Sequence, residues 1–89
     1  MAWRIEGFIW LEWVIEKIGS KHGVSPEEVE QVFFNVPYKV LRGEEGKYKW
    51  LGRSDSGRYL LVVLVREGNL IKVITARDMT DVERRLYTR

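Results

Sequence analysis

An α+β fold is the expectation for this 89-residue chain, and three observations carry it. Apolar residues of helical period near the amino terminus are bounded by capping chemistry. Four β-rich runs follow, separated by short turns built from Gly, Asp, Asn and Ser. A further capped segment closes the sequence. The pattern predicts one small domain, residues 1–89. Its sheet has four or five strands in antiparallel order, with two N-terminal helices and a short C-terminal helix packed on it.

Trp3 to Ile9 reads as a short first strand, with Gly7 a site for a bulge. From Leu11 to Lys21, the apolar residues Leu11, Val14, Ile15 and Ile18 recur at helical spacing, while Glu12, Glu16, Lys17 and Ser20 lie elsewhere on the wheel. Gly23 suits a left-handed stop. Ser25-Pro26-Glu27-Glu28 then opens a second helix: Ser25 caps, Pro26 fits the first turn and Glu28 closes a capping box. That helix buries Val29, Val32 and Phe33 and ends before Pro37. Strands follow at Tyr38–Arg42 and Lys47–Arg53, around the turn Gly43-Glu44-Glu45-Gly46. Tyr59–Arg66 is almost wholly apolar, as a central strand covered on both faces should be. Leu70–Ala76 follows Glu67-Gly68-Asn69. Thr80-Asp81-Val82-Glu83 is a second capping box, and it starts the last helix.

Composition removes several kinds of chemistry. The chain has no cysteine and one histidine. Disulfides, thiolate catalysis, histidine-based zinc sites and a two-histidine acid/base mechanism are therefore excluded. No Gly-rich phosphate loop, nucleophile elbow or EF-hand spacing is present, and the expectation is no metal and no cofactor. No apolar run approaches the roughly 18 residues of a membrane span and no signal-peptide pattern opens the chain, so a cytoplasmic location is expected. Net charge is only +2. Locally, Lys39, Arg42, Lys47, Lys49, Arg53 and Arg58 stand against Glu44, Glu45 and Asp55. A phosphate-binding surface or a solvated sheet face both fit that excess.

Candidate functional residues follow from charge and position. Strand alternation puts Lys47, Lys49, Leu51 and Arg53 on one face, giving a positive stripe suited to a phosphate backbone or to protecting a sheet edge. Arg77 lies where the last strand leaves the sheet, as a phosphate ligand or the partner of a nearby carboxylate. Arg84 and Arg85, adjacent on a helix, point in different directions, so one can face a site while the other is solvated. Tyr87 can donate a proton, stack on a base or fill the core. Lys21 and His22 either contact phosphate or complement the end of the first helix, and His22 can also carry a proton. Glu83 reads first as a cap partner. Trp3, Trp10, Trp13 and Trp50 read as core or partner surface.

The order and spacing of several short segments carry a resemblance across nearly the whole chain. They are Trp10, Lys21-His22-Gly23-Val24, Glu27-Glu28-Val29, Val32-Phe33, Leu51-Gly52-Arg53-Ser54, Gly57-Arg58, the apolar strand through Val63, Ala76-Arg77 and Glu83-Arg84-Arg85-Leu86-Tyr87. In these the sequence resembles the BrnT family of ribonuclease toxins from type II toxin–antitoxin systems. The resemblance implies a RelE-like fold and a metal-independent endoribonuclease that works by 2′-hydroxyl attack and inhibits translation and growth. It implies an RNA substrate and a BrnA-like, DNA-binding, autorepressing antitoxin, with a dimer or a heterotetramer as the assembly. Arg53, Arg77, Arg84, Arg85 and Tyr87 would form the active surface, with Lys21 and His22 contributing. The chain departs from the family's common pattern at Leu11, where relatives carry an aspartate, and at Val14 and Ile18, where they carry lysine and asparagine. Those departures keep a second reading open: a catalytically silent module of the same fold that only binds its antitoxin-like partner.

Overall fold

In the computed structural model, which describes residues 3–89, local sequence signals set most element ends. The order is β1 (Gly7–Ile9), α1 (Glu12–His22), α2 (Pro26–Val32), β2 (Lys39–Arg42), β3 (Lys47–Arg53), β4 (Tyr59–Glu67), β5 (Leu70–Asp78) and α3 (Asp81–Thr88). Leu11 occupies the cap position of α1 and makes no side-chain cap bond. Gly23 ends that helix in the left-handed region: its N–H donates to the Gly19 carbonyl, and the Val24 N–H to the Ile18 carbonyl. Both capping boxes form. Ser25 accepts from the Glu28 N–H at 3.1 Å and Glu28 accepts from the Ser25 N–H at 3.2 Å. Thr80 and Glu83 do the same for α3.

The sheet runs β1-β5-β4-β3-β2, with the apolar strand β4 at its centre. Strands β2 to β5 pair antiparallel, but β1 pairs parallel with β5. The sheet is thus mixed rather than wholly antiparallel. With α1 and α2 between them, β1 and β2 occupy opposite edges, and three reversals bring β5 back beside β1 in the same direction. The first strand is also shorter than Trp3–Ile9. Ahead of Gly7 one backbone bond, from the Glu6 N–H to the Asn69 carbonyl at 2.8 Å, is joined by side-chain packing, the Trp3 ring meeting Tyr48 and Trp50 edge-on at 5.0 and 5.3 Å.

Each sheet face carries its own apolar cluster. On one, Val14 and Ile18 of α1 and Val29 and Val32 of α2 pack against Trp50, Leu60, Val62, Leu64, Ile71, Val73 and Ala76. Val14 and Ile18 are completely buried, so their apolar character serves packing and not a partner surface. On the other face α3 covers a smaller cluster of Leu51, Leu61, Met79 and Tyr87.

A bulge in β5 decides which face receives Arg77. Val63 pairs with Thr75 and Leu64 with Val73, leaving Ile74 as the extra residue. Strict alternation from Ile71 and Val73 would send Arg77 toward the large core. With one residue inserted, Ala76 takes the core position, fully buried. Arg77 then falls opposite Leu61, on the face covered by α3. Among the described residues no helix is long and apolar enough to cross a membrane.

Candidate functional site

Where α3 crosses the sheet, two arginines converge on one aromatic ring. Arg53 ends β3 and Tyr59, its cross-strand partner, begins β4. The Arg53 guanidinium carbon stands 4.8 Å from the centre of the Tyr59 ring, and that of Arg84, from α3, stands 4.0 Å away. Both fall within cation–π range. Among the described residues neither guanidinium has a carboxylate within ion-pair distance. Two unneutralised cations sharing one ring repel each other, and an anion placed against both relieves that repulsion. Tyr59 meets the ring of Tyr87 edge-on at 5.8 Å. Arg53, Tyr59 and Tyr87 line an open groove of about 330 Å³ together with Pro37, Tyr38 and Lys39.

Helix position separates the two adjacent arginines of α3. Arg84 turns inward over Tyr59, while Arg85 lines a shallow outer surface with Val82 and Leu86. Tyr87 is buried, 6% exposed, and its hydroxyl donates to the Pro37 carbonyl at 2.7 Å. Burial pushes its phenol above the ordinary value, against an opposing pull from Arg53. It anchors α3 and its proton is committed.

Two other arginines are neutralised. Arg77 holds Glu83 through two parallel bonds of 2.8 and 2.9 Å. The hydrogen bond from Arg77, reinforced by the cap bond from Thr80, brings the Glu83 carboxyl from 4.5 to about 2. The same carboxylate thus caps α3 and ties it to β5. Arg58 grips Asp78 at 2.7 and 3.1 Å and Glu28 at 3.3 Å, and donates to the carbonyls of His22 and Gly23. It joins the end of α1, the start of α2 and the end of β5, and its positive charge complements the carbonyl end of α1.

The structure therefore gathers some candidates and separates others. Arg53, Arg84 and Tyr87 come together, with Lys47 and Lys49 further along the same face of β3. Lys49 is exposed, and Lys47 makes a loose 3.5 Å pair with Glu45. His22 ends α1 beside Arg58 and Asp78, on the side of the sheet covered by α1 and α2, with Lys21 exposed next to it. Sequence reasoning missed Tyr59. Its signal was the cross-strand pairing of Arg53 with the residue that begins the next strand, which a five-residue connection, Ser54 to Arg58, makes legible. Among the described residues no group of three His, Cys, Asp or Glu side chains could hold a metal ion.

Comparison with known proteins bears on what this surface does. Residues 15–83 match the family model described as the ribonuclease toxin BrnT of type II toxin–antitoxin systems. Arg84, Arg85 and Tyr87 lie just beyond the matched span. No curated protein matches the sequence significantly. Among solved structures, the crystal structure of the Brucella abortus ribonuclease toxin BrnT superposes with a TM-score of 0.70 at 19% identity, covering 84% of this chain and 97% of that one. That likeness establishes a shared fold.

Proposed function

The chain belongs to the BrnT family, the ribonuclease toxins of type II toxin–antitoxin systems, and from that premise we propose that it cleaves RNA without a metal at the Arg53–Arg84 cluster. Family membership implies an RNA target and an antitoxin partner. The observation that carries the choice of site is the convergence of two carboxylate-free guanidiniums on Tyr59.

In the proposed reaction the 2′-oxygen of a ribose bonds to the adjacent phosphorus and the bond to the 5′-oxygen breaks. The products are a 2′,3′-cyclic phosphate and a free 5′-hydroxyl. Negative charge grows on the non-bridging oxygens as the phosphorane forms, and Arg53 and Arg84 supply fixed positive charge against it. Tyr59 is a positioning residue that keeps both guanidiniums extended. Of the two proton carriers suggested by the sequence, Tyr87 is engaged with the Pro37 carbonyl and His22 lies on the far side of the sheet. The 2′-proton accordingly passes to water, and water protonates the leaving oxygen. Arg77 acts through Glu83, fixing the helix that presents Arg84. Lys49 and Lys47 extend the site along β3, where two residues advance roughly 7 Å, toward phosphates flanking the scissile one.

The test is cleavage of RNA by the purified protein in EDTA, beside the Arg53→Ala and Arg84→Ala variants. Cleavage by the wild type that falls about 100-fold in each variant supports the site. A folded wild type that binds a cognate antitoxin and cuts nothing replaces this reading with the silent binding module.

A further inference from the structure

Beside the Arg53–Arg84 cluster lies a second groove, of about 390 Å³, lined by Asn35, Val36, Arg53, Ser54, Asp55 and Gly57. Its size falls in the range of about 300–1,000 Å³ that accepts small ligands. Arg53 borders both grooves, so a group seated in this one is a neighbour of the phosphate held by Arg53.

Hydrogen bonds fix what its polar edge can recognise. The Asn35 amide nitrogen donates both hydrogens, to the Arg53 carbonyl at 2.9 Å and to Asp55 Oδ1 at 2.9 Å. Both partners are acceptors, which sets the orientation of the amide. The Asp55 backbone N–H is itself held by Gln31 Oε1 at 2.9 Å. The side-chain oxygens left over on this edge, Asn35 Oδ1 and Asp55 Oδ2, are acceptors that receive no donor from any described residue, while the Arg53 guanidinium on the groove's border is left to the phosphate. Beside them Val36, 81% exposed, offers an apolar surface to the face of a planar ring.

We propose that this groove is a nucleobase pocket that selects guanine next to the scissile phosphate. Guanine alone among the four bases presents two adjacent donors, N1–H and the N2 amine, on its Watson–Crick edge. A pair of fixed acceptors receives both. Adenine and cytosine bring one amine beside a lone pair, and uracil brings one N–H between two carbonyls, so each sets an acceptor against an acceptor. Unbound RNA bases are commonly read in this way once splayed from the stack. The pocket deepens the ribonuclease reading and rests on it for the placement of the phosphate.

The test separates base recognition from cleavage. Short oligothymidines carrying one central guanine, hypoxanthine or adenine cannot be cut, because they lack the 2′-hydroxyl, and their binding to the purified protein is followed by fluorescence anisotropy. Guanine should bind about tenfold tighter than hypoxanthine, which lacks only the N2 amine, and at least as much tighter than adenine. Asp55→Asn keeps the acceptor used by Asn35 and turns the other oxygen into a donor. It should abolish the guanine preference, read as the ratio of guanine to adenine affinity, while leaving the melting temperature unchanged. Mapped cleavage products of mixed-sequence RNA should place guanine at one fixed position beside the cut. Equal binding of all three oligonucleotides, or a preference that survives Asp55→Asn, overturns the pocket. Cleavage without base bias overturns it while leaving the ribonuclease intact. Guanine-selective binding without cleavage overturns the chemistry and keeps the pocket.

Discussion

Four arginines stand within one end of this small sheet, and they fall into two pairs with opposite uses. Arg58 and Arg77 are each bound by carboxylates, and Arg58 also by two helix-end carbonyls. Arg53 and Arg84 have only an aromatic ring beneath them. The difference teaches that an arginine's neighbours, not its charge, decide its role. A neutralised guanidinium has spent its field on the fold, whereas a stacked one is positioned yet still needs an anion.

The sharpest way to break that contrast is truncation of the free pair. Arg84→Ala should lower cleavage about 100-fold, roughly 2.7 kcal/mol at the transition state, with the melting temperature moving by about 4 °C or less. A large stability loss instead would assign Arg84 to the fold. Arg58→Ala should do the reverse. It strands two carboxylates and the last carbonyls of α1, so thermal unfolding should reveal a loss of about 2–3 kcal/mol. Cleavage per folded molecule should persist.

Acid should discriminate between the pairs more gently. The Glu83 carboxyl titrates lower in the folded chain than unfolded, so its contribution is present above about pH 4.5 and disappears as the pH falls toward 2. Denaturant titrations across that window should show a loss on the order of 1–2 kcal/mol after screening by solvent, smaller in Glu83→Gln, where Asp78, held below the usual carboxylate range by its bond from Arg58, still contributes. Gly57→Ala probes the scaffold of Arg53. Gly57 has φ of +90°, and an added Cβ would lie 3.0 Å from the Arg53 guanidinium nitrogen. About 1 kcal/mol of destabilisation is expected, together with a severalfold fall in cleavage as the guanidinium shifts. Smallest of all should be His22→Ala and Arg85→Ala, each within about twofold of wild-type kcat by single-turnover assay. A fall of about tenfold or more in single-turnover rate in a folded His22→Ala variant would bring the histidine back into the chemistry.

Much of the fold was legible because its signals are local. Ser25 with Glu28, Thr80 with Glu83, and Gly23 after His22 each act within three or four residues, so the chain itself displays the cause. Strand alternation likewise placed Lys47, Lys49 and Arg53 on one face, and the apolar run of β4 announced a central strand. The parallel pairing of β1 was hidden, since three residues hold no information about which distant edge they join.

Local order thus determined where helices begin, where strands lie and which side chains share a face of β3. Tertiary structure alone decided which charges were left unpaired. Ile74 bulges from β5 and sends Arg77 to the α3 face, where Glu83 neutralises it. Arg58 reaches Asp78 across 20 positions of sequence and His22 across 36. Tyr59 becomes the seat of two guanidiniums only because α3 folds back over the start of β4. Backbone propensity acts over a few bonds, but Coulomb and cation–π energies depend on distance through space, and sequence separation does not encode that distance.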